Sequence, residues 1–133
     1  MNYEDASTFE EANEQDGVTF FVDAGEYNLT APDTGVYSIF CNKDGQLEAR
    51  KGKDGKWIDE ELSDVKAATR ELERGEGYRV ELQLPLDVIE YEEGKDIRIN
   101  FKLGYQAGDK YVEENVIHAD ENASHTWCRT SIK

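Results

Sequence analysis

Two segments in the second half of the chain alternate without interruption. Tyr78, Val80, Leu82 and Leu84 are apolar, and Arg79, Glu81 and Gln83 stand between them. Ile97, Ile99, Phe101 and Leu103 alternate in the same way with Arg98, Asn100 and Lys102. Successive side chains of a strand point to opposite faces, so each segment predicts a strand with one buried face and one wet or functional face. Pro85 ends the first, Leu86-Asp87-Val88-Ile89 predicts one helical turn, and Gly94-Lys95-Asp96 turns into the second. Earlier in the chain, Val18-Thr19-Phe20-Phe21-Val22-Asp23 is β-branched and aromatic and predicts a strand. Val18, Phe20 and Val22 would share one face; Thr19, Phe21 and Asp23 would take the other. Ala31-Pro32-Asp33-Thr34-Gly35 is a loop, and Val36 to Cys41 is a second strand. Lys43-Asp44-Gly45-Gln46 reads as a hairpin turn, with Leu47 to Arg50 returning beside it. Lys53-Asp54-Gly55-Lys56 is a second such turn and leads into Trp57-Ile58. After a turn at Gln106 to Asp109, Tyr111-Val112 and Val116-Ile117 predict a broken strand, and Thr126-Trp127-Cys128 a closing one.

Residues 59 to 74 carry two patterns. Leu62, Val65, Ala68 or Thr69, and Leu72 recur at helical spacing, with acids ahead, Arg74 near the end and Gly75 as a stop. Local rules read that as a helix. Val65, Ala67, Thr69 and Glu71 give a weaker strand pattern. The remaining signals, short strands at regular spacing separated by Gly turns, predict an all-β fold: an antiparallel β-sandwich with at most short helical turns.

Composition narrows the function. Thirty Asp and Glu stand against fifteen Lys and Arg, a net charge of -15. Phosphate binding needs clustered cations, so the charge argues against nucleic acid and against an anionic membrane surface. No apolar run is long enough to span a bilayer, and the acidic start Met1-Asn2-Tyr3-Glu4-Asp5 is no secretory leader. At 133 residues the chain fits a single domain, 1–133, that can bury roughly two-thirds of its unfolded surface without a disulfide or metal. Residues 1–16 hold six acids and no base and read as a solvated loop or tail. Cys41 and Cys128 match no metal spacing and are expected as two separate thiols.

No segment matches a zinc-protease, phosphate-loop or serine-hydrolase motif. His118, Asp120 and His125 fit no zinc spacing and read more simply as polar loop residues. Glycoside hydrolysis needs only two placed carboxylates, but no acid stands out from its neighbours, so no catalytic residue is assigned. Asp23, Asp33, Asp109, Asp120 and Glu121 sit in or beside loops, where carboxylates can hold calcium; no spaced calcium loop is present. The aromatics outside the strong alternation are Trp57, Tyr105, Tyr111 and Trp127. Such rings either cap a core or stack on the apolar face of a sugar.

Gly77-Tyr78-Arg79-Val80-Glu81-Leu82-Gln83-Leu84-Pro85 resembles the late strand of family 9 carbohydrate-binding modules, which reads Gly-Tyr-x-Val-Glu-x-x-Ile-Pro. Ile97 to Leu103 is similar to the strand that follows there, Gln15-Asp16-Gly17-Val18-Thr19-Phe20-Phe21-Val22-Asp23 to an earlier one, and Trp127 falls where the family carries a Trp. The resemblance runs in order over about residues 13 to 128 and covers the last two-thirds of such a module. It implies an antiparallel sandwich, structural calcium in some members, and non-catalytic binding of plant-type polysaccharide or oligosaccharide between two Trp rings. It also implies a strand rather than a helix over 65 to 74. Trp127 is the binding residue it carries over, and Trp57 and Tyr105 are added as further platforms. Asn13 stands where the family has its first Trp, Thr19 where it has a Glu, and Ser38 where it has an Arg. The family's opening strands have no counterpart here, so an exposed strand edge is expected to be covered by a second copy or a neighbouring domain. The resemblance implies a secreted or cell-surface parent associated with a glycoside hydrolase; taken as complete, the chain would be cytoplasmic. Three readings follow: a carbohydrate-binding module, a structural or interaction sandwich that has lost the sugar site, and a small acidic enzyme.

Overall fold

The computed structural model describes residues 16–62, 64–72, 78–107, 110–115 and 119–132. Asn13, Asp109, Val116, Ile117 and His118 lie outside them, as does the acidic stretch before Asp16.

β1 (Gly17–Asp23) and β2 (Val36–Asn42) form the centre of the larger sheet, and β2 is buried along its whole length. Seven strands make this sheet. Its order is β4 (Lys56–Asp59), β3 (Leu47–Lys53), β2, β1, β7 (Asp96–Ala107), β8 (Lys110–Asn115), with β9 (Cys128–Ser131) on the other stretch of β7. Every pairing is antiparallel. The second sheet is a hairpin of β5 (Lys66–Glu71) and β6 (Tyr78–Gln83). The all-β sandwich expected from the alternation is therefore the observed fold. The helix that local rules place over 59 to 74 is not formed: Lys66–Glu71 is a strand. Its register sets Ala67 opposite Leu82 and Thr69 opposite Val80, so pairing with β6 outweighs a weak helical pattern.

Two cores lie on the two faces of the large sheet. On the hairpin side Val22, Tyr37, Ile89 and Ile97 cluster, with Phe20, Leu84 and Ile99 against them. On the opposite side Phe21, Val36 and Trp127 pack together, with Leu29, Trp57 and Ala119 beside them. The alternation sorts Val18, Phe20 and Val22 to one face of β1 and Thr19, Phe21 and Asp23 to the other, without saying which is the better covered. Thr19, Phe21 and Asp23 are all buried, whereas Val18 and Phe20 are only partly so. Loop 24–35 and the segment 119–127 cover that face, whereas the two-stranded hairpin covers its own side incompletely.

Cys41 and Cys128 are both free thiols. β1 and β7 separate their strands in the sheet, and Cys41 is level with Leu103 of β7 whereas Cys128 pairs with Ile99, so the two lie well over 7 Å apart, beyond disulfide reach. Cys41 is fully buried, and burial pushes its thiol up from the ordinary range. Thiolate is the reactive form. One equivalent of a disulfide reagent is therefore expected to label the folded protein at pH 8, at exposed Cys128, and a second only on unfolding. Rapid labelling of both thiols in the folded protein would contradict this packing.

Candidate functional site

The face of the large sheet away from the hairpin is only partly covered. Loop 24–35 is built around Asp23, which ends β1 with no exposure. Asp23 Oδ1 accepts from the N–H of Gly25 and of Tyr27 at 3.3 and 2.9 Å. Its Oδ2 accepts from the N–H of Asn28 at 3.1 Å and from the Ser124 hydroxyl at 2.7 Å. Ser124 Oγ in turn accepts from Leu29 N–H at 2.7 Å. One carboxylate thus ties the loop to the short 3-10 turn Ser124–Thr126. Calcium needs lone pairs free on its ligands, and at Asp23 these donors already engage both oxygens. The site does not fit a cation there. Among the described residues no group of three or more His, Cys, Asp or Glu is placed to hold a metal.

Beyond this cover a cleft opens over β1 and β2. Thr19 and Phe21 of β1 and Ser38 and Phe40 of β2 form its floor. Pairing register carries Glu48 and Arg50 of β3 to the same face, opposite Phe40 and Ser38. Trp57 of β4 stands beyond them, while Lys102, Glu113 and Glu121 form the other wall. Gly17 and Gly104 pair across β1 and β7, and a Cβ on either would strike the Phe40 ring or the Tyr111 ring respectively. The missing side chains there leave room for these two rings to approach the backbone beside the cleft.

The charges are mostly paired. Lys102 Nζ lies 2.8 Å from Glu121 Oε2 and 3.4 Å from Glu113 Oε2, and 5.8 Å from the centroid of Phe21. Arg50 lies 3.5 Å from Asp59 and 3.9 Å from Glu48 Oε1. Glu48 Oε2 is different: it is buried and has no hydrogen-bond partner among the described residues. An unpaired buried acceptor costs free energy until a donor reaches it. The cleft encloses only about 60 Å³, so it admits the edge of a polar ligand rather than a whole ring.

The three residues expected to form sugar platforms do not converge. Trp57 is at the cleft, half-buried, with its indole N–H held by Asn122 Oδ1 at 3.0 Å and its ring 5.9 Å from Phe21. Trp127 is 2% exposed and offers no free face; its ring packs on Phe21 at 5.6 Å and its N–H donates to Asp120 O at 2.8 Å. Tyr105 lines an apolar groove on the other side of the sheet. Thr19 and Ser38, placed by resemblance, do meet in the cleft. Glu48, Arg50 and Lys102 carried no signal of their own, because only strand register brings them to this face.

No family model and no curated protein matches the chain. Among solved structures it is similar to the crystal structure of a "putative carbohydrate-binding protein" from Bacteroides uniformis, with a TM-score of 0.55 and 16% identity. The match covers 87% of this chain and 60% of that one, so the chain spans about three-fifths of that protein's length. At this identity the likeness is one of fold alone, a two-sheet antiparallel β-sandwich.

Proposed function

We propose that the cleft over β1 and β2 is a non-catalytic carbohydrate-binding site, in a module of the family 9 type that belongs to a larger secreted or cell-surface protein. The observation that carries this reading is the pairing of a partly exposed ring, Trp57, with the buried and unpartnered Glu48 Oε2 in one cleft. A sugar offers what both need: a patch of C–H groups for the ring and a hydroxyl donor for the carboxylate. The Thr19 and Ser38 hydroxyls and the Arg50 guanidinium supply further polar contacts. With little room inside, the sugar would lie across the mouth and send one edge in. The description of the similar Bacteroides uniformis protein as carbohydrate-binding supports this reading.

The test is a fluorescence and calorimetric titration against neutral oligosaccharides. Trp57→Ala is expected to weaken binding about tenfold, the worth of one stacking contact of 1–1.5 kcal/mol. Glu48→Gln is expected to do the same, since an amide replaces a charge-assisted acceptor. Absence of binding by the folded protein, or binding indifferent to Trp57→Ala, would sink the reading. A second reading, a structural or interaction sandwich without a sugar site, is favoured by the burial of Trp127, and it would then stand.

A further inference from the structure

The charges around the cleft discriminate between sugars. Glu48, Glu113 and Glu121 line it against two cations, Arg50 and Lys102. Both cations are already engaged. Lys102 Nζ sits between Glu121 and Glu113 at 2.8 and 3.4 Å, with its side chain only 15% exposed. Arg50 reaches the exposed Asp59 at 3.5 Å. With Asp59 included, four carboxylates stand around two bases, on a chain of net charge -15. The local excess is negative, and an anionic sugar would add to it.

Glu48 gives that excess a position. Arg50 lies 3.9 Å from its Oε1, beyond hydrogen-bond length, and its Oε2 is buried with no partner among the described residues. Arg50 therefore holds this carboxylate loosely, and it can turn toward a stronger donor. A cationic donor relieves its charge and its empty lone pair together. Thr19 and Ser38, which also line the cleft, are buried, and so are Phe21 and Phe40. Charge acts strongly over such a desolvated floor. Size narrows the group further. A space of about 60 Å³ corresponds to roughly two waters. An ammonium on a ring carbon fits it, and the same nitrogen enlarged by an acetyl does not. An ammonium brings three donors and no acceptor, and the Glu48 carboxylate and the Thr19 and Ser38 hydroxyl oxygens can all accept. The partly exposed ring of Trp57 takes C–H groups and positive charge alike.

We infer that the cleft selects an amino sugar, a pyranoside with a free ammonium on the edge that enters, and that Glu48 is the residue that sets this preference. The inference rests on the sugar-binding reading above and names the class of sugar. Three methyl glycosides that differ at one ring position test it: the glucoside, the glucosaminide and the N-acetylglucosaminide. They are titrated by fluorescence and calorimetry at about pH 6, below the range in which such amines lose their proton. The glucosaminide is expected to bind about tenfold more tightly than the glucoside, since a charge-assisted bond replaces a neutral donor. The N-acetylglucosaminide is expected to bind more weakly than either. Glu48→Gln is expected to cost the glucosaminide about a hundredfold and the glucoside about tenfold, which leaves no preference between them. Methylammonium, a cation without a sugar, is expected not to compete. Equal binding of glucoside and glucosaminide by the unaltered protein would overturn the inference and leave the sugar site standing. A preference that survives Glu48→Gln, or competition by methylammonium as strong as by the glucosaminide, would overturn it too, and would reduce the effect to the general pull of an acidic surface. Binding of none of the three glycosides would remove the sugar site itself, and the inference with it.

Discussion

Asp23→Ala is expected to lower the unfolding free energy by about 3–5 kcal/mol, measured by urea denaturation with Trp fluorescence. The carboxylate is fully buried and accepts four hydrogen bonds, from Gly25, Tyr27, Asn28 and Ser124. Removing it strands those donors at the base of a loop that also holds Glu26 and Asn28 at φ of 56° and 57°. Non-glycine residues in that left-handed region are uphill, and the carboxylate's grip on the neighbouring N–H groups offsets the strain. Asp23→Asn keeps one acceptor but turns an NH₂ toward other donors, so about half the loss is expected. Ser124→Ala is expected to cost about 1–2 kcal/mol, because Leu29 N–H loses its acceptor with it. The two sites share a bond, so the double variant should lose less than the sum of the singles. A loss below about 1 kcal/mol for Asp23→Ala would mean that the loop is not held in this way.

Period-two alternation placed β6 and β7, β-branched and aromatic runs bounded by turns placed β1 and β2, and the Asp-Gly turns fell at Gly45 and Gly55 with φ of 84° and 81°. These features were legible because side-chain period and turn chemistry are local. The strand Lys66–Glu71 was not legible locally, since its partner β6 decides its conformation. The depth of burial at Thr19, Phe21 and Asp23 was hidden for the same reason: Ser124 reaches Asp23 from 101 residues away. At the cleft, resemblance pointed to Thr19 and Ser38. Glu48 and Arg50 needed the β2–β3 register, which no window of sequence contains. The aromatic positions show the limit most plainly. Composition cannot distinguish a ring that caps a core from one that faces solvent, and the fold assigns Trp127 to the first role and Trp57 to the cleft.

Trp127→Ala is accordingly expected to cost about 3–5 kcal/mol, the range for deleting a buried Trp side chain. The ring fills the space between Phe21 and Val36 on the sheet and is 2% exposed. Its backbone is held as well, since Trp127 O accepts from Arg98 Nη1 at 2.8 Å. Trp127→Phe keeps much of the packing but leaves Asp120 O without its indole donor, and about 1–2 kcal/mol is expected. The same pair of variants separates core from platform. If Trp127 only packs, Trp127→Phe loses stability while any oligosaccharide response, carried by Trp57, keeps its midpoint. If Trp127→Phe abolishes that response with stability unchanged, the ring must leave the core to meet a ligand. The stacking role implied by the strand motifs would then belong to Trp127 after all. A buried ring can take that role only if loop 24–35 or the 119–127 segment opens, and opening is what the Asp23 hydrogen bonds oppose. Trp127→Phe combined with Asp23→Asn is therefore the stringent form of the test. A platform hidden behind the loop would gain access when Asp23 is weakened, so Asp23→Asn alone should tighten binding, and the added Phe should cancel the gain. A purely structural Trp127 predicts no tightening at all.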